Sequence, residues 1–125
     1  MKVIDSSGWI EYFSKGPLVS AYRSHIRSLR ELVTPSIVVY EVVKKMLLDS
    51  GEEAAAEVAG QIGKTQIILL DNAIAISAAQ TSIKHKLPMA DAIIYATAQS
   101  VGATLVTSDE HFRDLPGVEF IPRNE

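Results

Sequence analysis

Four acids scattered through this 125-residue chain have the type and placement for one kind of chemistry: Asp5, Glu41, Asp91 and Asp109. Alone, each has an ordinary explanation. Asp5 suits a turn or helix cap, Asp91 complements a helix dipole, and Asp109 can cap the short turn that follows it. A surface pair with Lys45 would account for Glu41, at a gain of only ~0.3–0.5 kcal/mol. Yet Tyr40, Val42 and Val43 flank Glu41, and a partly buried carboxylate in that setting needs a cation. Taken together the acids suggest a site. Carboxylates that converge repel one another and raise their own pKa values unless cations bind. Oxygen donors of this kind select magnesium or manganese. Two such ions ~3.5–4 Å apart can activate water and stabilise the leaving oxygen of a phosphodiester. Lys44 and Lys45, one turn from Glu41, are the cations best placed to meet a substrate phosphate.

The elements that must position these acids can be read from periodicity and punctuation. Val3-Ile4 reads as a strand ending at Asp5, with a short helix over Trp9 to Phe13. Gly16-Pro17 breaks that helix, and a second is expected from Leu18 to Leu32. Along it Arg23, Arg27 and Arg30 share a face, as a solvated surface or, in a sharper reading, a phosphate-contacting ridge. Val33-Thr34 reads as a strand and Ile37 to Leu48 as a helix with Ser36 as N-cap. Glu52 to Ile62 is an alanine-rich helix with acids in its first turn, and Gly63 terminates it. Gln66 to Leu70 is a strand, and Asp71 caps a helix reaching Lys86. Pro88 opens a helix from Met89 to Ser100, closed by Gly102. Thr104–Thr107 is a strand, Asp109 to Phe112 one helical turn, and Val118 to Ile121 a last strand. Alternation of this kind predicts a single α/β domain with a mainly parallel sheet. In such sheets ligands sit beyond the carboxyl ends of the strands, where Asp5 and Asp109 fall.

Composition narrows the options. The hydrophobic fraction of 47% and the charged fraction of 22% are ordinary for a globular domain. With no cysteine there is neither disulfide nor thiolate metal site. No apolar run approaches the ~20 residues of a membrane span, and the start lacks a signal peptide's apolar stretch, so a cytoplasmic location is expected. The net charge of −3 runs against the basic surplus usual in nucleic-acid binders, an objection that bound cations would weaken. Gly63-Lys64-Thr65 lacks the upstream glycine and the strand–helix context of a phosphate-binding loop. The histidines show no zinc spacing.

Four segments also carry a family resemblance: Val3-Ile4-Asp5-Ser6-Ser7, Val39-Tyr40-Glu41-Val42, Leu87-Pro88-Met89-Ala90-Asp91-Ala92 with the helix that follows, and Thr107-Ser108-Asp109-Glu110-His111-Phe112. In order and spacing the chain resembles a PIN-domain nuclease, and within that group the VapC-type toxins of toxin–antitoxin pairs. The resemblance implies a five-stranded parallel sheet flanked by helices. It implies metal binding by Asp5 and Asp91 most directly, with Glu41 and Asp109 completing the site. Thr107, and Ser6 or Ser7, would supply hydroxyls that orient ligands or water. It further implies endonucleolytic cleavage of RNA with Mg2+ or Mn2+, a small antitoxin protein as inhibitor, and a homodimer. One departure stands out: many relatives place an acid or asparagine two positions after the last aspartate, and here that residue is His111. Two other functions fit an α/β chain of this length. One is a phosphoacceptor signalling domain using Asp71, although it would lack the paired acids and late lysine of a receiver. The other is a catalytically inactive protein-binding module.

Overall fold

The computed structural model describes residues 1–123. Strands β1 (Lys2–Ile4), β2 (Leu32–Pro35), β3 (Gln66–Ile68), β4 (Thr104–Thr107) and β5 (Val118–Phe120) form one sheet in the order β3-β2-β1-β4-β5. Every pairing is parallel. A parallel sheet must be covered on both faces, and the three inner strands are accordingly short apolar runs. Val3, Ile4, Leu32, Val33, Leu105 and Val106 are all buried.

Helices α1 (Ser6–Ser14), α2 (Val19–His25), α3 (Ser36–Ser50), α4 (Glu52–Ile62), α5 (Asn72–His85) and α6 (Met89–Ser100) supply the cover. Trp9 of α1 and Tyr22 of α2 are fully buried, as is Phe112 from a 3-10 turn spanning Glu110–Phe112. Trp9 stacks on Phe13 with centroids 5.7 Å apart. Among the described residues no helix is long and apolar enough to cross a membrane.

Two local expectations need correction. The helix expected from Leu18 to Leu32 ends at His25, and a 3-10 turn over Leu29–Glu31 leads into β2. Leu32, Val33 and Thr34 are buried in the sheet, and strand pairing there outweighs the helical spacing upstream. Arg27 and Arg30 therefore lie outside α2, and with Arg23 they form no ridge on a shared helix face. The expected cap Ser36 is instead the first residue of α3, with Pro35 in the cap position. The Ser36 hydroxyl accepts from the Leu70 N–H at 3.3 Å. Asp71 does cap α5, accepting from the Ile74 N–H at 2.8 Å.

The chain path locates the site. From β1 it runs outward through β2 to β3, then returns to lay β4 on the other side of β1 and ends at β5. The strand order thus reverses between β1 and β4, and the crevice beyond their carboxyl ends is where such sheets bind ligands.

Candidate active site

Asp5 and Thr107 meet at that reversal because of register. Ile4 is paired with Val106, and the Asp5 N–H extends the ladder by donating to the Val106 carbonyl at 3.0 Å. Asp5 thereby faces Thr107, whose hydroxyl donates to Asp5 Oδ2 at 2.7 Å. Ser7 donates to the same oxygen at 3.3 Å. Thr107 Oγ1 also accepts from the Asp109 N–H at 3.0 Å, so one hydroxyl fixes the acids that follow β1 and β4. Asp5 is only 4% exposed. Its carboxyl pKa is lifted to about 6, chiefly by burial and with smaller help from the charges of Asp91 and Asp109, against the pull of the Thr107 bond. Asp91 and Asp109 thus stand near enough for their charges to act on Asp5.

Asp91 enters from the first turn of α6. Burial raises its pKa, the His111 hydrogen bond opposes the rise, and Asp109 adds to it. Asp109 caps the 3-10 turn, with Oδ1 accepting from the His111 N–H at 2.9 Å. His111 Nδ1 lies 2.8 Å from Asp91 Oδ2 and 3.3 Å from Asp109 Oδ1. Its hydrogen bond to Asp91, followed by the charge of Asp109, raises the imidazole pKa. Donor atoms of Asp91, Asp109 and His111 all lie within 4.8 Å of one another.

Glu41 arrives from α3. Ser6, the residue after Asp5, donates to Glu41 Oε1 at 2.5 Å. The bond ties the half-buried glutamate to the start of α1. The surface pair with Lys45 does not form: Lys45 pairs with Asp49 at 3.1 Å, and Lys44 lies over the Tyr40 ring, 5.7 Å from its centroid. Both lysines stand on the exposed side of α3, where with Glu41 they line a shallow groove of about 290 Å3.

Sequence reasoning passed over two arginines. Arg113 and Arg123 line a cavity of about 470 Å3 together with Ser7, Ser108, Asp109 and Glu110. Arg113 lies over the Phe120 ring at 4.3 Å and pairs with Glu110 at 3.0 Å. Arg123 reaches Glu11 at 3.4 Å. The position of Arg113, four residues beyond Asp109, was a usable signal; Arg123 enters only through tertiary folding. Also unforeseen was the 2.6 Å hydrogen bond between Tyr22 Oη and Ser108 Oγ, buried beneath this cavity.

A sequence model described as the PIN domain matches residues 2–118. The chain belongs to the PIN domain family. No curated protein matches it in sequence, whereas solved structures share its fold. A toxin–antitoxin complex from Klebsiella pneumoniae aligns with a TM-score of 0.81 at 24% identity, over 95% of this chain and 96% of that one. A VapBC complex of Rickettsia felis, bound to a DNA fragment from its promoter, aligns at 0.76 and 16% identity over 97% of both. A sarcin–ricin-loop-cleaving VapC toxin of Mycobacterium tuberculosis aligns at 0.70 and 14% identity, over 83% and 85%.

In this PIN domain the clustered donors fit a divalent cation. Oxygens of Asp91 and Asp109 and one imidazole nitrogen converge, and the burial that penalises the charge of Asp91 is relieved by a bound positive ion. The phosphoacceptor alternative has lost its geometry. A receiver-type sheet of order 2-1-3-4-5 carries its third strand centrally, whereas β3 here is an edge strand. Asp71 spends its carboxylate as a helix cap.

Proposed function

We propose that this PIN domain is a divalent-metal-dependent endoribonuclease, the toxin of a toxin–antitoxin pair. The gathering of Asp5, Asp91 and Asp109 beyond the carboxyl ends of β1 and β4 carries the proposal. Asp5, Asp91, Asp109 and Glu41 would hold Mg2+ or Mn2+. When bound, such an ion makes water a stronger nucleophile and stabilises charge on the leaving oxygen of a phosphodiester. The chain itself supplies orientation. Thr107 fixes Asp5 and the backbone of Asp109, while Ser6 fixes Glu41. Arg113 and Arg123 stand beside Asp109, and on exchanging Glu110 and Glu11 for phosphate they would bind the RNA strand. Lys44 and Lys45 offer cations on the Glu41 side.

A small antitoxin and a second copy of the chain are the partners that fit this reading. Exposed apolar side chains on two faces support both contacts. Tyr40, Leu47 and Leu48 stand out from α3 beside the Glu41 groove, and Ile76, Ile83 and Met89 from α5 and α6. Tyr40, Leu47 and Leu48 line one apolar groove on α3, a feature of the kind that marks interaction surfaces.

Incubating purified protein with RNA, with and without Mg2+ or Mn2+, tests the activity. Cleavage should require the ion and should vanish in Asp91→Asn while circular dichroism stays native. Full cleavage by Asp91→Asn, or undiminished cleavage in excess chelator, would remove the acids from the chemistry.

A further inference from the structure

His111 stands two residues beyond Asp109, and the fold holds its ring against the carboxylates. Several features fix that placement. Asp91 and Tyr95 lie one turn apart on α6, so they share a face of the helix. Tyr95 stacks on the fully buried Phe112, with centroids 6.4 Å apart and planes 22° from parallel. That stack presses the 3-10 turn against α6 and brings His111, the neighbour of Phe112, beside Asp91. The His111 N–H is bonded to Asp109 Oδ1. The imidazole is thereby held against both acids although its side chain is 55% exposed.

The separations have a chemical meaning. Adjacent ligands of an octahedral divalent ion with bonds of about 2.1 Å stand about 3 Å apart. His111 Nδ1 is 2.8 Å from Asp91 Oδ2 and 3.3 Å from Asp109 Oδ1, close to two edges of such an octahedron. The donors stand near ligand spacing, so one ion can touch all three once the hydrogen bond between His111 and Asp91 is given up.

We infer that His111 Nδ1 is a ligand of the divalent cation, beside Asp91 and Asp109, and that it tilts this site from magnesium towards manganese and later transition ions. The inference rests on the reading of the carboxylates as a cation site and deepens it. Ligation through Nδ1 puts the ring proton on Nε2. Magnesium gains little from an imidazole, whereas affinity for nitrogen donors climbs from manganese through cobalt and nickel. A neutral imidazole ligand also brings no negative charge towards holding a second ion.

The test reads the metal directly. Manganese is added to wild-type protein without RNA, and electron spin-echo spectroscopy looks for nitrogen coupling, with 15N-histidine protein as the control. Calorimetry then compares Mn2+ and Mg2+ binding by wild type, His111→Ala and His111→Asn. The expected result is histidine nitrogen coupling in wild type and none in His111→Ala. Loss of the ligand should cost Mn2+ at least about 10-fold in affinity, with Mg2+ little changed in either variant. Bound manganese without nitrogen coupling, or equal losses for both ions, overturns the role of His111 and leaves the carboxylate site standing. Failure of wild type to bind Mn2+ at millimolar concentration overturns both. The wild-type spectrum decides the ligation even if a variant is poorly folded.

Discussion

Asp5→Asn should make the metal-free protein more stable at neutral pH while destroying its activity. The magnitude comes from burial. The Asp5 carboxyl has its pKa lifted from 3.8 to about 6, a rise of roughly two units at 1.36 kcal/mol each, or about 3 kcal/mol. Between those values the native chain retains a proton that the unfolded chain has already released, so stability falls as pH rises. Below pH 3.8 Asp5 costs nothing, because both states are protonated. Above about pH 6 the full penalty applies. Asparagine keeps the shape and an oxygen for the Thr107 hydroxyl, and it never carries the charge. Urea unfolding of wild type and Asp5→Asn from pH 4 to 8, with chelator present, should show the variant's advantage growing by about 3 kcal/mol and levelling off near neutrality. A divalent ion at 100 times its Kd should restore about 2.7 kcal/mol to wild type. An advantage that does not vary with pH, or one that shrinks as pH rises, would refute the assignment of a buried, charge-penalised carboxylate to Asp5.

Gly8→Ala should destabilise the fold. A Cβ there would stand 2.3 Å from Tyr22 Cε1 and 2.8 Å from Ile4 Cγ2, both buried, and about 3 kcal/mol of overpacking outweighs about 1 kcal/mol of helix propensity. A net loss of about 2 kcal/mol should appear as a lower urea midpoint, and an unchanged midpoint would mean that α1 and α2 do not pack this closely. Arg113→Gln and Arg123→Gln should each weaken binding of a non-cleavable RNA and flatten its salt dependence by about 0.7 in log–log slope, the value for one lost phosphate contact on a single strand. KM should rise with kcat held, and an unaltered salt slope would place the RNA path elsewhere.

Much of this protein can be read from local pattern. Short β-branched runs alternating with helical stretches specify a parallel α/β sheet, because only strands buried on both faces are apolar throughout. Punctuation works wherever the cause is local: Asp71 caps α5, and α6 opens after Pro88. It fails over Leu18–Leu32, where the spacing suits a helix but the sheet claims the last residue. Asp5 and Asp109 were visible by type and by position after strands, Asp91 and Glu41 only as acids on helices.

The sequence alone therefore determined the fold class and placed Asp5 and Asp109 at the carboxyl edge of the sheet, since these follow from residue type and chain order. The electrostatics and company of the acids were decided by tertiary contact. Asp5 gains its raised pKa from burial and from acids distant in the chain. Ser6 meets Glu41 across 35 positions, and His111 meets Asp91 across 20. Arg123 comes to the same cavity from the far end of the chain. Such meetings depend on strand register and on side chains packing between elements, and no local pattern encodes either.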